Sequence, residues 1–163
     1  MTTTLQHTAR ERAAVRASAR TLAAVHLGLV VSGVTLDPGD EPVARVDLID
    51  PGDDPFAVMF IAIAAAEGAL LVCGEPDDDQ DDQDRETARA AALQLADDDA
   101  LTAAVLLADV TAEVRHLVRR HVAVIAGLAA DLDRHGGLTA ADVTAATQPS
   151  RNRRAQRDHG RTE

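Results

Sequence analysis

Apolar residues recur along this chain in two periods, and polar turns mark where one period gives way to the other. Val15, Leu22 and Val25, with the alanines between them, form a stripe at helical spacing. Thr8 and Glu11 stand ahead of it at the spacing of a capping box, so a helix is expected from about Ala9 to Leu27, with Gly28 as its C-terminal cap. The pattern then changes. Val30 to Leu36 is β-branched and apolar, and Val43 to Ile49 alternates, with Ala44, Val46 and Leu48 on one face and Arg45 and Asp47 on the other. The turn signal from Asp37 to Pro42 lies between them, which reads as a β-hairpin or two adjacent strands.

A second turn runs from Asp50 to Pro55, where Asp54 can cap a helix that has Pro55 at its first position. That helix should reach about Val72 and stop at Gly74. The acidic run from Asp77 to Asp84 is expected to be a solvated low-complexity loop, with helix resuming from Arg85 to Ala96. Asp97 to Asp99 can start one long helix reaching about Arg134, its stripe made by Val105, Val114, Leu117, Val118, Val124, Ile125, Leu128 and Leu132. Gly136 and Gly137 end it, and Leu138 to Val143 begins a short last helix. From Gln148 on, the chain is polar and Arg-rich without apolar periodicity, and is expected to be disordered. The fold class expected is therefore α+β, predominantly helical with a small β-hairpin. One domain spans residues 1–147, followed by a tail over 148–163.

Composition narrows the function classes. The chain has 163 residues and a net charge of -11, so binding through phosphates, and nucleic acid as a partner, are not expected. Only 1% of residues are aromatic, which argues against base-stacking platforms. A single Cys excludes an intrachain disulfide framework and Cys-based zinc modules. The most apolar run, Phe56 to Cys73, approaches a membrane span in length, but Glu67 and Gly68 interrupt it, so a buried core helix and no membrane contact are expected. The N-terminus lacks a signal-peptide pattern, and a cytoplasmic location is expected.

Three stretches carry a family likeness. Glu11 to Ala24 is followed by Leu27-Gly28 and then by Val30 to Leu36; Ile63 to Gly74 contains Ala64-Ala65-Ala66-Glu67-Gly68; and Val114 to Val143 closes with Gly-Leu-Thr and Asp-Val. In this order the chain resembles, over roughly Arg10 to Ala146, the peptidase domain of the FtsH-type ATP-dependent zinc proteases and their stand-alone relatives. The resemblance implies a zincin-like architecture. In that family the first stretch is the helix bearing His-Glu-x-x-His, whose two His at i and i+4 face one metal and whose Glu is the general base. The matching positions here are Arg16, Ala17 and Arg20. A guanidinium stays protonated and has no lone pair for zinc, and Ala17 accepts no proton. The family's distant acidic ligand would correspond to Asp84, with Glu67 a second remnant acidic position.

The resemblance thus implies a catalytically degenerate relative that has lost zinc, uses no cofactor and acts as a binding or regulatory protein. Its partner would be another protein or a second copy of itself. The family's ATPase module has no counterpart in these residues. Two readings of the arginines compete: Arg16 and Arg20 fill the old metal position and pair with Asp84 or its neighbours, or they are exposed helix arginines. Two rival functions also stay open: an active metallopeptidase with non-standard ligands such as His26 and the acidic-run carboxylates, or a helical interaction domain with no peptidase ancestry.

Other constellations are weak. Among the six histidines, no pair shows i, i+4 spacing; His116 and His121 are five apart. The acidic run fails the EF-hand pattern, since its sixth and twelfth positions are Asp82 and Ala88. Cys73, with apolar neighbours, is expected to be a buried structural thiol.

Overall fold

The computed structural model describes residues 8–37, 39, 42–49, 52–74 and 78–148. The Arg-rich tail expected to be disordered lies outside the described residues, apart from Gln148. Helix α1 (Ala9–His26) begins with the expected capping box: Thr8 Oγ1 accepts from the Glu11 amide, and the Glu11 carboxylate accepts from the Thr8 amide. It ends in a reciprocal pair of backbone bonds. The Leu29 amide donates to the Ala24 carbonyl and the Gly28 amide to Val25, with Gly28 at φ +78°. Only a residue without a Cβ takes that left-handed position at no steric cost. The chain then reverses into β1 (Val30–Leu36) and β2 (Ala44–Ile49), an antiparallel hairpin whose register shifts between Val31 and Gly33. The alternation read from β2 holds: Ala44, Val46 and Leu48 turn inward, while Arg45, Asp47 and Ile49 are exposed.

Helix α2 (Pro55–Cys73) starts on the Asp54 carboxylate, which accepts from the Phe56 amide, and stops at left-handed Gly74. Apart from Glu67 it is apolar throughout, and by length and composition alone it could cross a membrane. Here more than half of it is buried, with Met59, Phe60, Ala64 and Ala65 in the protein core. Its contact with α1 is very close. A Cβ placed on Gly68 would lie 2.5 Å from Ala19 Cβ, so the two backbones approach at a distance that only glycine permits. The contacts Ala19 to Gly68 and His26 to Phe60 (ring centroids 5.7 Å apart) show that the two helices run antiparallel.

The second half departs from expectation in four places. From Asp78 on, the acidic run is helical, as the start of α3 (Asp78–Leu95). Carboxylates in a first helical turn are stabilised by the helix dipole, and further along the run Asp81 and Asp84 meet arginines of α1. Asp97 and Asp98, expected to open the next helix, instead form a left-handed turn at φ 49° and 65°, and Asp99 caps α4 (Ala100–Arg120). The long helix is two helices, because His121 breaks it at φ -115°, ψ 19°, before α5 (Val122–His135). Within the expected stripe Val105 is 55% exposed, whereas Val114, Leu117, Val118, Ile125, Leu128 and Leu132 are buried. Finally, Leu138 does not begin a helix. Gly137–Thr139 forms strand β3, and Thr139 caps α6 (Ala140–Thr147) through a second capping box with Asp142. The sheet order is β2-β1-β3, antiparallel throughout. The molecule is a mostly helical α+β fold. Helix α1 lies at its centre, against α2, α5 and the inner face of the hairpin.

Candidate functional site

Arg16 sits in the middle of α1, one residue before the buried Ala17 and Ser18, and only 4% of it is exposed. Its stem crosses the gap to α3, where its guanidinium donates to the carboxylates of both Asp81 and Asp84 and, at 2.7 Å, to the Gln80 carbonyl. One helical turn on, Arg20 donates to the other oxygen of Asp84 at 2.7 Å. Residues four apart on a helix share a face, so the i, i+4 pair reaches one carboxylate from one side. The contacts advance from Asp81 to Asp84 as α1 advances from Arg16 to Arg20, so α1 and α3 run in the same direction here.

The electrostatics of this cluster are internally balanced, with two guanidiniums facing two carboxylates. Asp81 is 1% exposed and Asp84 5% exposed. A buried carboxylate without its partner carries a large desolvation cost, so the buried Arg16 is the arginine these acids most require. One donor is left over: Arg16 Nε is buried and finds no partner among the described residues. Cys73, at the end of α2, is close enough to feel Arg12, Glu11, Arg16 and Asp81, but burial is the largest influence and pushes its thiol up. A raised thiol is mostly protonated at neutral pH and makes a poor nucleophile.

The residues singled out from the sequence therefore separate into two groups. Arg16, Arg20 and Asp84 come together, and the alternative that made Arg16 an exposed surface arginine is overturned by its burial. Ala17 is fully buried on the neighbouring face of α1. Glu67 is elsewhere: it accepts from Arg115 Nε of α4 at 2.9 Å. Asp81 and the Gln80 carbonyl were missed because the acidic run reads as a loop. A signal was available. Asp81, Asp84, Ala88, Ala91 and Ala92 follow each other at helical spacing and are all buried.

The donor set does not fit zinc. Arg16 and Arg20 carry guanidiniums, which have no lone pair to offer a metal, and both already donate to Asp84. Among the described residues, no group of three or more His, Cys, Asp or Glu is placed to hold a metal ion. His26 is stacked on Phe60 instead of meeting the acidic run. It opens, with His116, Arg120 and His121, onto a cleft of about 730 Å³ between the end of α1, the α4–α5 break and α6. Burial, Arg120 and His26 all hold His121 below the usual imidazole value.

Neither a protein-family model nor a curated protein matches this chain.

Proposed function

We propose that this chain is a non-catalytic relative of the FtsH-type zinc peptidase domain, zincin-like in architecture, that works in the cytoplasm by binding a protein. The observation that carries this reading is the convergence of Arg16 and Arg20, at i and i+4 on one helix, on the single carboxylate of Asp84. Two imidazoles and an acid at those positions would be a metal site; two guanidiniums and an acid are a salt-bridge cluster. The cluster takes over the mechanical part of a metal site, which is to tie α3 to α1. It does not take over the chemistry. In this reading no hydrolytic step follows, because two guanidiniums hold no zinc that could activate a water and Ala17 cannot act as base.

The reading is tested by dialysing the purified chain against zinc and measuring bound metal by elemental analysis, beside an assay on an unfolded protein substrate. The expected outcome is no stoichiometric zinc and no cleavage. Close to one equivalent of zinc per chain, or metal-dependent cleavage, overturns it.

A further inference from the structure

The free edge of the sheet is complementary to itself. Strand β2 pairs with β1 on one side only, and nothing among the described residues pairs with its other side. The direction of its backbone groups can be read from the hairpin end. The Asp37 amide donates to the Val43 carbonyl at 2.9 Å, so Val43 faces β1. Alternation then turns Arg45 and Asp47 towards β1, and leaves the amides and carbonyls of Ala44, Val46 and Leu48 pointing out of the sheet. The Leu36 amide agrees with this: it is opposite Ala44 and donates away from β2, to Gly136 at 2.9 Å. Within the strand there is no Pro and no inward-pointing charge to block pairing, and its two charges, Arg45 and Asp47, are of opposite sign.

We propose that β2 pairs antiparallel with β2 of a second copy of this chain, with Val46 on the two-fold axis, extending the sheet into one continuous six-stranded sheet across a dimer. This register places Arg45 opposite Asp47 of the second copy, twice by symmetry. It also places Val43, 57% exposed, opposite Ile49 of the second copy, 58% exposed. These outer-face pairs are the non-hydrogen-bonded ones, in which side chains stand closest. On the inner face, Ala44 meets Leu48 and Val46 meets Val46, and all three are only half-buried in the single chain. The outward amides and carbonyls supply about six backbone hydrogen bonds. Other registers fail. A one-residue slip sets the inner face of one strand against the outer face of the other. A two-residue slip sets Arg45 against Arg45 or Asp47 against Asp47. An isologous contact requires this kind of self-complementarity, and β2 has it in charge, apolar pattern and backbone direction together. A six-residue edge buries less than the roughly 1,000 Å² of a tight interface, so the dimer dissociates at around micromolar concentration.

Sedimentation velocity on the full chain across a concentration series tests this. The native chain passes from monomer to dimer. Arg45→Asp and Asp47→Arg each weaken the dimer by about 100-fold, because each replaces two attractive pairs by two repulsive ones. The combined swap restores it, since the charges again face their opposites. Arg45 and Asp47 are exposed, so circular dichroism should show an unchanged fold in all three variants. Hydrogen exchange gives a readout without mutation: the amides of Ala44, Val46 and Leu48 gain protection as concentration rises. A chain that stays monomeric, a dimer indifferent to the single swaps, a folded double swap that does not recover, or edge amides whose exchange ignores concentration overturns the proposal. A monomer that accepts an added strand peptide on this edge also overturns it, in favour of peptide addition.

Discussion

Helix α1 meets α2 and α3 with opposite materials. Against α2 it presents alanines, and Ala19 lies so close to Gly68 that a single added methyl group does not fit. Against α3 it presents two arginines, and the gap is wide enough for a whole guanidinium and two carboxylates. The first contact has only shape: it tolerates no added volume, and it contains no charge to leave unpaired. The second has a strict electrostatic requirement and much looser steric demands. Closeness and charge pairing are alternative ways of holding a helix, and they fail differently.

The largest effect is expected from breaking the charged contact on one side. Arg16→Ala leaves Asp81 and Asp84 buried without their main partner and should cost about 3–5 kcal/mol, read from urea unfolding. Replacing the buried part of the cluster by Arg16→Met, Asp81→Leu and Asp84→Leu should cost far less, because the one charge left behind, Arg20, is part-exposed and water can reach it. A triple variant as unstable as Arg16→Ala would show that shape, not charge, governs this contact too.

On the other face, Gly68→Val should cost about 2 kcal/mol or more by forcing α1 and α2 apart. Gly127, on α5, has nothing within 4 Å of a built Cβ, so Gly127→Ala is the control and should stabilise by about 0.5–1 kcal/mol. Equal effects at the two glycines would dissolve the distinction between the faces. Arg20→Ala should cost about 1 kcal/mol or less, since its side chain is 32% exposed and water can take its place. Arg16, on the same face, differs from Arg20 in both burial and number of partners, and both differences point the same way.

A smaller effect separates the cluster from the histidine cleft. The folded-state value of His121 lies below the ordinary 6.5, so the unfolded chain binds more protons there. The stability contribution of neutral His121 is therefore complete above pH 6.5 and is lost as pH falls through its folded value. Burial is the largest cause of the lowered value, and Arg120 and His26 add to the penalty for charging His121. Thermal melts of the native chain should decline between neutral and mildly acid pH, and His121→Asn should flatten that decline. An identical pH profile in the variant would remove His121 from the account.

How much of this could be read from the sequence depended on whether the signal was local. The Thr8 and Glu11 capping box, the Asp54 cap and the alternation in β2 are all contained within a few residues, and each formed as read. The acidic run was misread because Asp is a weak helix former and a cluster of like charge looks solvated. What makes it helical is 64 to 68 residues away in sequence, in Arg16 and Arg20. The break at His121 is hidden for another reason. The apolar stripe keeps its three- and four-residue spacing from Val118 through Ile125, and neither Gly nor Pro marks the interruption. Strand β3 is three residues long and exists only because β1 offers an edge, so no periodicity could announce it. Of the candidate site, the shared face of Arg16 and Arg20 was readable from their spacing. Asp81 and the Gln80 carbonyl required α3 to be seen as a helix.

The central claim is that Arg16, Arg20 and Asp84 keep the arrangement of a metal site without its chemistry. Thermal melts of an Arg16→His, Arg20→His variant, with and without zinc, test it most directly. Without metal the variant should melt well below the native chain, since the guanidinium bonds to Asp81 and Asp84 are lost. With zinc it should recover several degrees, because a ligand that binds only the folded state stabilises it, while the native chain should not respond. A folded variant whose melting temperature ignores zinc would contradict the claim and leave the cluster as an ordinary pair of buried salt bridges.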